Sequence, residues 1–95
     1  MLISHVLYHL KGAFQKEFMA EIEALHIRED TLAEEGNLCY SFFLPVGNAE
    51  AIFLLERWKD EEALALHKTR KAFFDLQDVK GRYVSSVEAK IFKSE

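Results

Sequence analysis

Glu56, Trp58 and His67 are the residues whose types and spacing could do chemistry in this chain. An apolar run, Ile52-Phe53-Leu54-Leu55, ends in Glu56 and in Trp58, the single tryptophan. Asp60-Glu61-Glu62 then reads as a helix start, with Asp60 as N-cap and the acids at the positive end of the helix dipole. His67 follows the tryptophan by nine residues, on the inward face of that helix with Ala63 and Leu64. A carboxylate, an indole and an imidazole thus converge on one strand–helix junction, where a small pocket can form.

Burial disfavours the imidazolium and a neighbouring carboxylate restores it, so such a pair can be poised as a base near neutral pH. A core histidine bonded to backbone or to Glu56 would show the same spacing. Glu56 itself must find partners inside an apolar strand, because an unpaired buried carboxylate is strongly disfavoured. His67 and Arg82 are the two candidates. Trp58 can pack in the core, or wall a flat ligand and donate one hydrogen bond. Tyr40, on the neighbouring strand, offers a phenol to the same cavity; Tyr8 is the weaker candidate.

Other constellations fall away. His5 and His9 sit on a strand, where four residues span roughly 13 Å, too far to share one metal ion. His26 falls near the middle or end of the first helix, on the surface or rim. Gly-rich phosphate loops, a serine nucleophile elbow and a CxxC pair are all absent. No metal or cofactor site is expected. Cys39, the single cysteine, reads as an inert buried thiol, and its solitude fits a reducing, cytoplasmic compartment.

Four strands and two helices must position these groups. Residues 2–10 read as a strand rather than a signal peptide, lacking a cationic lead and a cleavage site. Phe14, Phe18, Ile22 and Leu25 mark an amphipathic helix from Ala13 to about Ala33, closed by Gly36 in the left-handed cap position. Leu38 to Leu44 and Ala51 to Trp58 form an antiparallel hairpin across Pro45-Val46-Gly47-Asn48. The second helix turns Ala63, Leu64, Leu66, His67, Phe73 and Phe74 inward, Gly81 marks a loop, and Tyr83 to Phe92 is the last strand. The order β-α-β-β-α-β is the ferredoxin-like plan of an α+β fold, in a single domain spanning 1–95.

Both faces of the middle strands are apolar. Leu38, Tyr40, Phe42 and Leu44 share one face and Cys39, Ser41 and Phe43 the other; Phe53 and Leu55 oppose Ile52 and Leu54. Two helices cover one face of a four-stranded sheet, and a solvated second face would alternate with polar residues. The second face is therefore expected to meet the sheet of an identical subunit, as a homodimer. A formal net charge of −4, with no Lys/Arg run, argues against a nucleic-acid partner. No run approaches the ~20 apolar residues of a membrane span, so no membrane partner is expected.

The stretch Glu35-Gly36-Asn37-Leu38-Cys39-Tyr40 resembles the E-P-G-x-x-x-Y approach to the second strand in the antibiotic biosynthesis monooxygenase (ABM) family. Glu56-Arg57-Trp58, the helix start at Asp60, the A-x-x-x-H of Ala63 to His67 and the aromatic Phe73 resemble its later motifs, in the right order. The resemblance implies a dimeric α+β barrel with a pocket between sheet and helices in each subunit. It also implies reactions ranging from cofactor-independent monooxygenation of phenolic or quinol-like substrates to haem degradation and sugar-phosphate isomerisation. The chain departs from the pattern in three places. Glu35 replaces the proline, Ala72 stands where many relatives carry a second histidine, and the first strand lacks the asparagine of the haem-degrading branch.

The leading expectation is a cofactor-free monooxygenase of a small aromatic, phenolic or quinol-like substrate, with O₂ as co-substrate. His67 would be the base, Glu56 its orienting acid, and Trp58 and Tyr40 the groups that hold the ring. The alternatives are a non-catalytic ligand-binding or stress-response module with the same pocket, and a haem binder.

Overall fold

The computed structural model describes residues 1–94. Its elements run β1 (Leu2–Leu10), α1 (Gln15–Ala24), α2 (Ile27–Leu32), β2 (Asn37–Phe43), β3 (Ala51–Trp58), α3 (Glu61–His67), α4 (Lys71–Tyr83) and β4 (Val84–Lys93). The strands form one antiparallel sheet in the order β2-β3-β1-β4. This is the expected ferredoxin-like frame, with each expected helix divided in two.

Each division has a local cause. His26 takes a left-handed backbone, φ 55°, which ends α1 at Leu25 and restarts the chain as α2 in a new direction. The new direction buries Ile27 and Thr31 beside Phe18 and Ile22, which one straight helix over 13–33 would not do. The second division follows His67. Thr69 N–H bonds to the Leu66 carbonyl at 3.0 Å, Arg70 N–H to the His67 carbonyl at 3.0 Å, and extended Arg70 then opens α4. The turn re-aims α4, and Phe74 faces outward rather than inward; Leu66, before the turn on α3, also faces outward. Gly81 lies in the last turn of α4, not in a loop. A helical glycine costs about 1 kcal/mol against alanine, less than burying Leu76 and Val79 on the same helix returns.

The helices cover one face of the sheet. Val6, Tyr8 and Leu10 of β1, Tyr40 of β2 and Ile52 and Leu54 of β3 pack there against Phe18, Ile22, Ile27, Leu76 and Val79. A bulge between Asn37 and Cys39 turns Leu38 out, and Leu44 lies past the strand end, so neither joins Tyr40 on that face. The opposite face carries Ile3, Leu7, Phe53, Leu55, Phe43 and Phe92 in register. His5 stands among them, its ring 5.5 Å from that of Phe53 and 5.0 Å from that of Phe92. Cys39 shares this face, half-buried rather than enclosed.

Gly36 closes the approach to β2 at φ 86°, and a Cβ there would fall 2.5 Å from the Ala63 Cβ on α3. Left-handed strain and overpacking together predict that Gly36→Ala destabilises the fold by about 2–4 kcal/mol. Gly47→Ala, at φ 79° with nothing within 4 Å, should cost only about 1 kcal/mol. Urea denaturation of the two variants checks the difference.

Candidate active site

A cavity of about 300 Å³ opens between the sheet and the α3–α4 pair. Val6, Leu76 and Phe73 supply apolar walls, with Val87 and Ile91 of the edge strand β4 on the open side. Its polar groups are Ser4, Tyr8, Glu56, His67, Lys68, Gln77 and Lys80.

His67 ends α3 and is 3% exposed. Its Nδ1 lies 2.8 Å from Glu34 Oε1. Glu34 follows α2 and approaches from the far side of the helical layer, so the expected partnership with Glu56 is replaced by one with Glu34. Three aromatic rings enclose the imidazole. Trp58 lies 4.7 Å away in a tilted stack, Phe73 meets it edge-on at 5.7 Å, and Tyr40 stands at 6.1 Å. Nε2 has no hydrogen-bond partner among the described residues, and it is the nitrogen left for the cavity that His67 lines.

Glu56 is also buried, and it too lines the cavity. Its partner is neither His67 nor Arg82. The Trp58 indole N–H donates to Glu56 Oε1 at 3.1 Å, while Arg82 pairs with Glu21. The reason is strand geometry: residues two apart share a face, so Trp58 and Glu56 stand side by side on β3. Burial pushes the Glu56 carboxyl above its ordinary value, against the Trp58 hydrogen bond and the charges of His67 and Lys68.

Trp58 and Tyr40 are fully buried and sit behind His67 instead of on the cavity wall. The Tyr40 hydroxyl is buried beside Thr31 without a well-formed hydrogen bond, and the Thr31 hydroxyl donates to the Ile27 carbonyl. Burial, then the Glu56 charge, holds the Tyr40 hydroxyl well above the ordinary tyrosine value. The same two causes raise Tyr8, which does reach the cavity. Lys80 lies with its ammonium 5.5 Å from the Tyr8 ring centroid and donates to Gln77 Oε1 at 3.2 Å. Burial lowers its pKa, opposed by Glu56.

The sequence pattern brought out His67 and Glu56 but not Glu34 or Lys80. Glu34 lies 33 residues from His67, and no periodicity joins a residue after one helix to the end of another. Lys80 was readable only as one of several charges on α4. Among the described residues no group of three or more His, Cys, Asp or Glu side chains is placed to hold a metal ion, and no helix is long and apolar enough to cross a membrane.

The family model for "Antibiotic biosynthesis monooxygenase" matches residues 1–79. The chain belongs to the antibiotic biosynthesis monooxygenase family. The Bacillus subtilis (strain 168) protein named "Putative monooxygenase YcnE" is 30% identical over 95 residues, covering 100% of this chain and 97% of that one. Among solved structures, "Putative antibiotic biosynthesis monooxygenase from Nitrosomonas europaea" superimposes with a TM-score of 0.87 at 18% identity, covering 99% of this chain and 98% of that one. A conserved protein from Methanosarcina mazei Go1 gives 0.85 at 27% identity, with 100% and 94% covered. These likenesses establish the fold and, with the family match, support a general monooxygenase-like function.

A carboxyl whose folded pKa is raised binds more protons in the folded than in the unfolded state. Its cost to stability therefore appears as the pH rises from the unfolded value of 4.5 through the raised value, and stays above it. Glu56→Gln keeps an acceptor for the indole and removes that cost. Thermal melts should place the variant at least about 3 °C above wild type at pH 8, with the difference closing near pH 4.

Proposed function

We propose that the chain, acting as one ABM domain over 1–95, is a cofactor-independent monooxygenase of a small phenolic or quinol-like ring. The observation that carries this reading is His67, buried among aromatic rings, held at Nδ1 by Glu34 and left with Nε2 towards the cavity.

An electron-rich phenolate can reduce O₂ directly once its proton is removed and water is kept from the intermediates. His67 Nε2 would take that proton. The Lys80 ammonium, whose acceptor here is a neutral amide, would steady the phenolate oxygen. The Tyr8 hydroxyl, or the Glu56 carboxyl whose proton affinity burial raises, would return a proton to the reduced oxygen. For a phenol the balance is phenol plus O₂ to quinone plus water. One oxygen atom enters the ring, the other leaves as water, and the substrate supplies all four electrons. Trp58 and Tyr40 would act through His67, by holding its ring, rather than by touching the substrate.

The apolar outer face of the sheet supports pairing with the same face of a second copy. Such a homodimer would leave both cavities, on the helical side, open to a small aromatic molecule and O₂. The absence of a basic stripe supports neither a nucleic-acid nor a membrane partner, and the lone cysteine is in keeping with a cytoplasmic setting.

Oxygen uptake with a panel of reduced benzoquinones and naphthoquinones tests the reaction. His67→Ala should lower uptake at least tenfold with an unchanged circular dichroism spectrum; equal uptake would remove His67 from the mechanism. Light scattering on a size-exclusion column should give twice the 11.0 kDa chain mass at micromolar concentration, and Phe53→Glu on the outer face should return the mass to that of one chain.

A further inference from the structure

The cavity lined by His67 is not the only hollow that reaches the His67–Glu34 pair. A separate cleft lies on the other side of the helical layer, where the end of α2 meets the start of α4. Asp30, Ala33, Glu35, Arg70 and Lys71 form its walls, and Glu34 lies among them. The Glu34 side chain is 13% exposed, whereas that of His67 is 3% exposed. The two residues therefore span the layer. Glu34 opens on the outer cleft, His67 opens on the inner cavity, and a 2.8 Å hydrogen bond joins them.

We propose that Glu34 and His67 form a proton relay from the inner cavity to the solvent of the outer cleft. The idea rests on the base role given to His67 above. When Nε2 gains the proton of a substrate hydroxyl, Nδ1 passes its own proton to Glu34, and the O–H bond so formed breaks to water in the cleft. The carboxylate is restored with no electrons moved, and the imidazole is left as its Nε2–H tautomer. It returns to Nδ1–H when Nε2–H reprotonates the group that gave its proton to the reduced oxygen and a proton from cleft water re-enters through Glu34. The turnover therefore releases no net proton. Both heteroatoms of an imidazole are needed for this, and a carboxylate in contact with solvent completes it. A clamp would require only the hydrogen bond. The outer cleft adds what a clamp does not need: a wet exit from the carboxylate, remote from the substrate.

Nitrogen-15 NMR of histidine-labelled protein reads this directly, whether or not a substrate turns over. Wild type should carry the neutral His67 ring as the Nδ1–H tautomer. Glu34→Gln keeps an acceptor for Nδ1–H but cannot accept its proton in exchange, so that proton should exchange with water at least tenfold more slowly. Ala33→Phe narrows the cleft beside Glu34 while leaving the Glu34 carboxylate in place, and should slow exchange as well. In oxygen uptake, Glu34→Gln should lower kcat at least tenfold with KM within twofold. Unchanged exchange in both variants would overturn the relay and leave Glu34 a positioning residue. If no quinol is consumed by wild type, the reaction reading fails while the exchange measurement still decides the relay.

Discussion

A buried imidazole needs a partner for its N–H, and here Glu34 supplies one to Nδ1 from outside the cavity. That bond fixes more than one side chain. It ties the segment after α2 to the last residue of α3, so both halves of the helical layer are held by a contact that crosses it. The aromatic rings around His67 depend on the same placement. Trp58 and Tyr40 come from adjacent strands and meet the imidazole only because α3 ends where it does.

Glu56 obeys the same rule in a different way. Its neighbour on the strand face is Trp58, and the indole N–H gives one oxygen a partner without adding charge. A neutral donor offsets part of the desolvation and leaves the carboxyl raised. Two acids therefore serve one small site in two settings. Glu34 reaches solvent and pairs with the imidazole, and Glu56 is sunk in the wall and inclined to hold its proton. Opposed environments for two titratable groups are the general means of dividing acid and base work.

The edge position of β4 explains why the cavity is open. The helices pack on β1, β2 and β3, and the helix-facing residues Val87 and Ile91 of β4 remain 43% and 57% exposed. A sheet wider than its helical cover leaves an apolar margin, and here the margin is one wall of the cavity. The other sheet face has no helical cover among the described residues, yet Ile3, Leu7, Phe53, Leu55 and Phe92 lie there around His5. The fold thus presents two apolar surfaces of distinct kinds: a concave one with polar groups inside, and a flat one whose apolar centre is flanked by polar residues such as Arg57, Ser41, Glu88 and Lys90.

The sequence by itself determined the strands, the fold class and the inward turn of His67. Alternation and helical spacing are local signals, and the register of Glu56, Trp58 and His67 is carried within one short segment. Asp60 capping α3 at Ala63 N–H and Gly36 at positive φ are likewise local chemistry, legible where they stand. Only the tertiary structure decided the partners. His26 adopting a left-handed backbone and Thr69 closing a turn broke the two helices, because each break buries more of the core than a continuous helix could reach. Those breaks then brought Glu34, not Glu56, to His67. A hydrogen bond between residues 33 apart has no periodicity to announce it, since it depends on how helices cross above the sheet rather than on spacing along the chain.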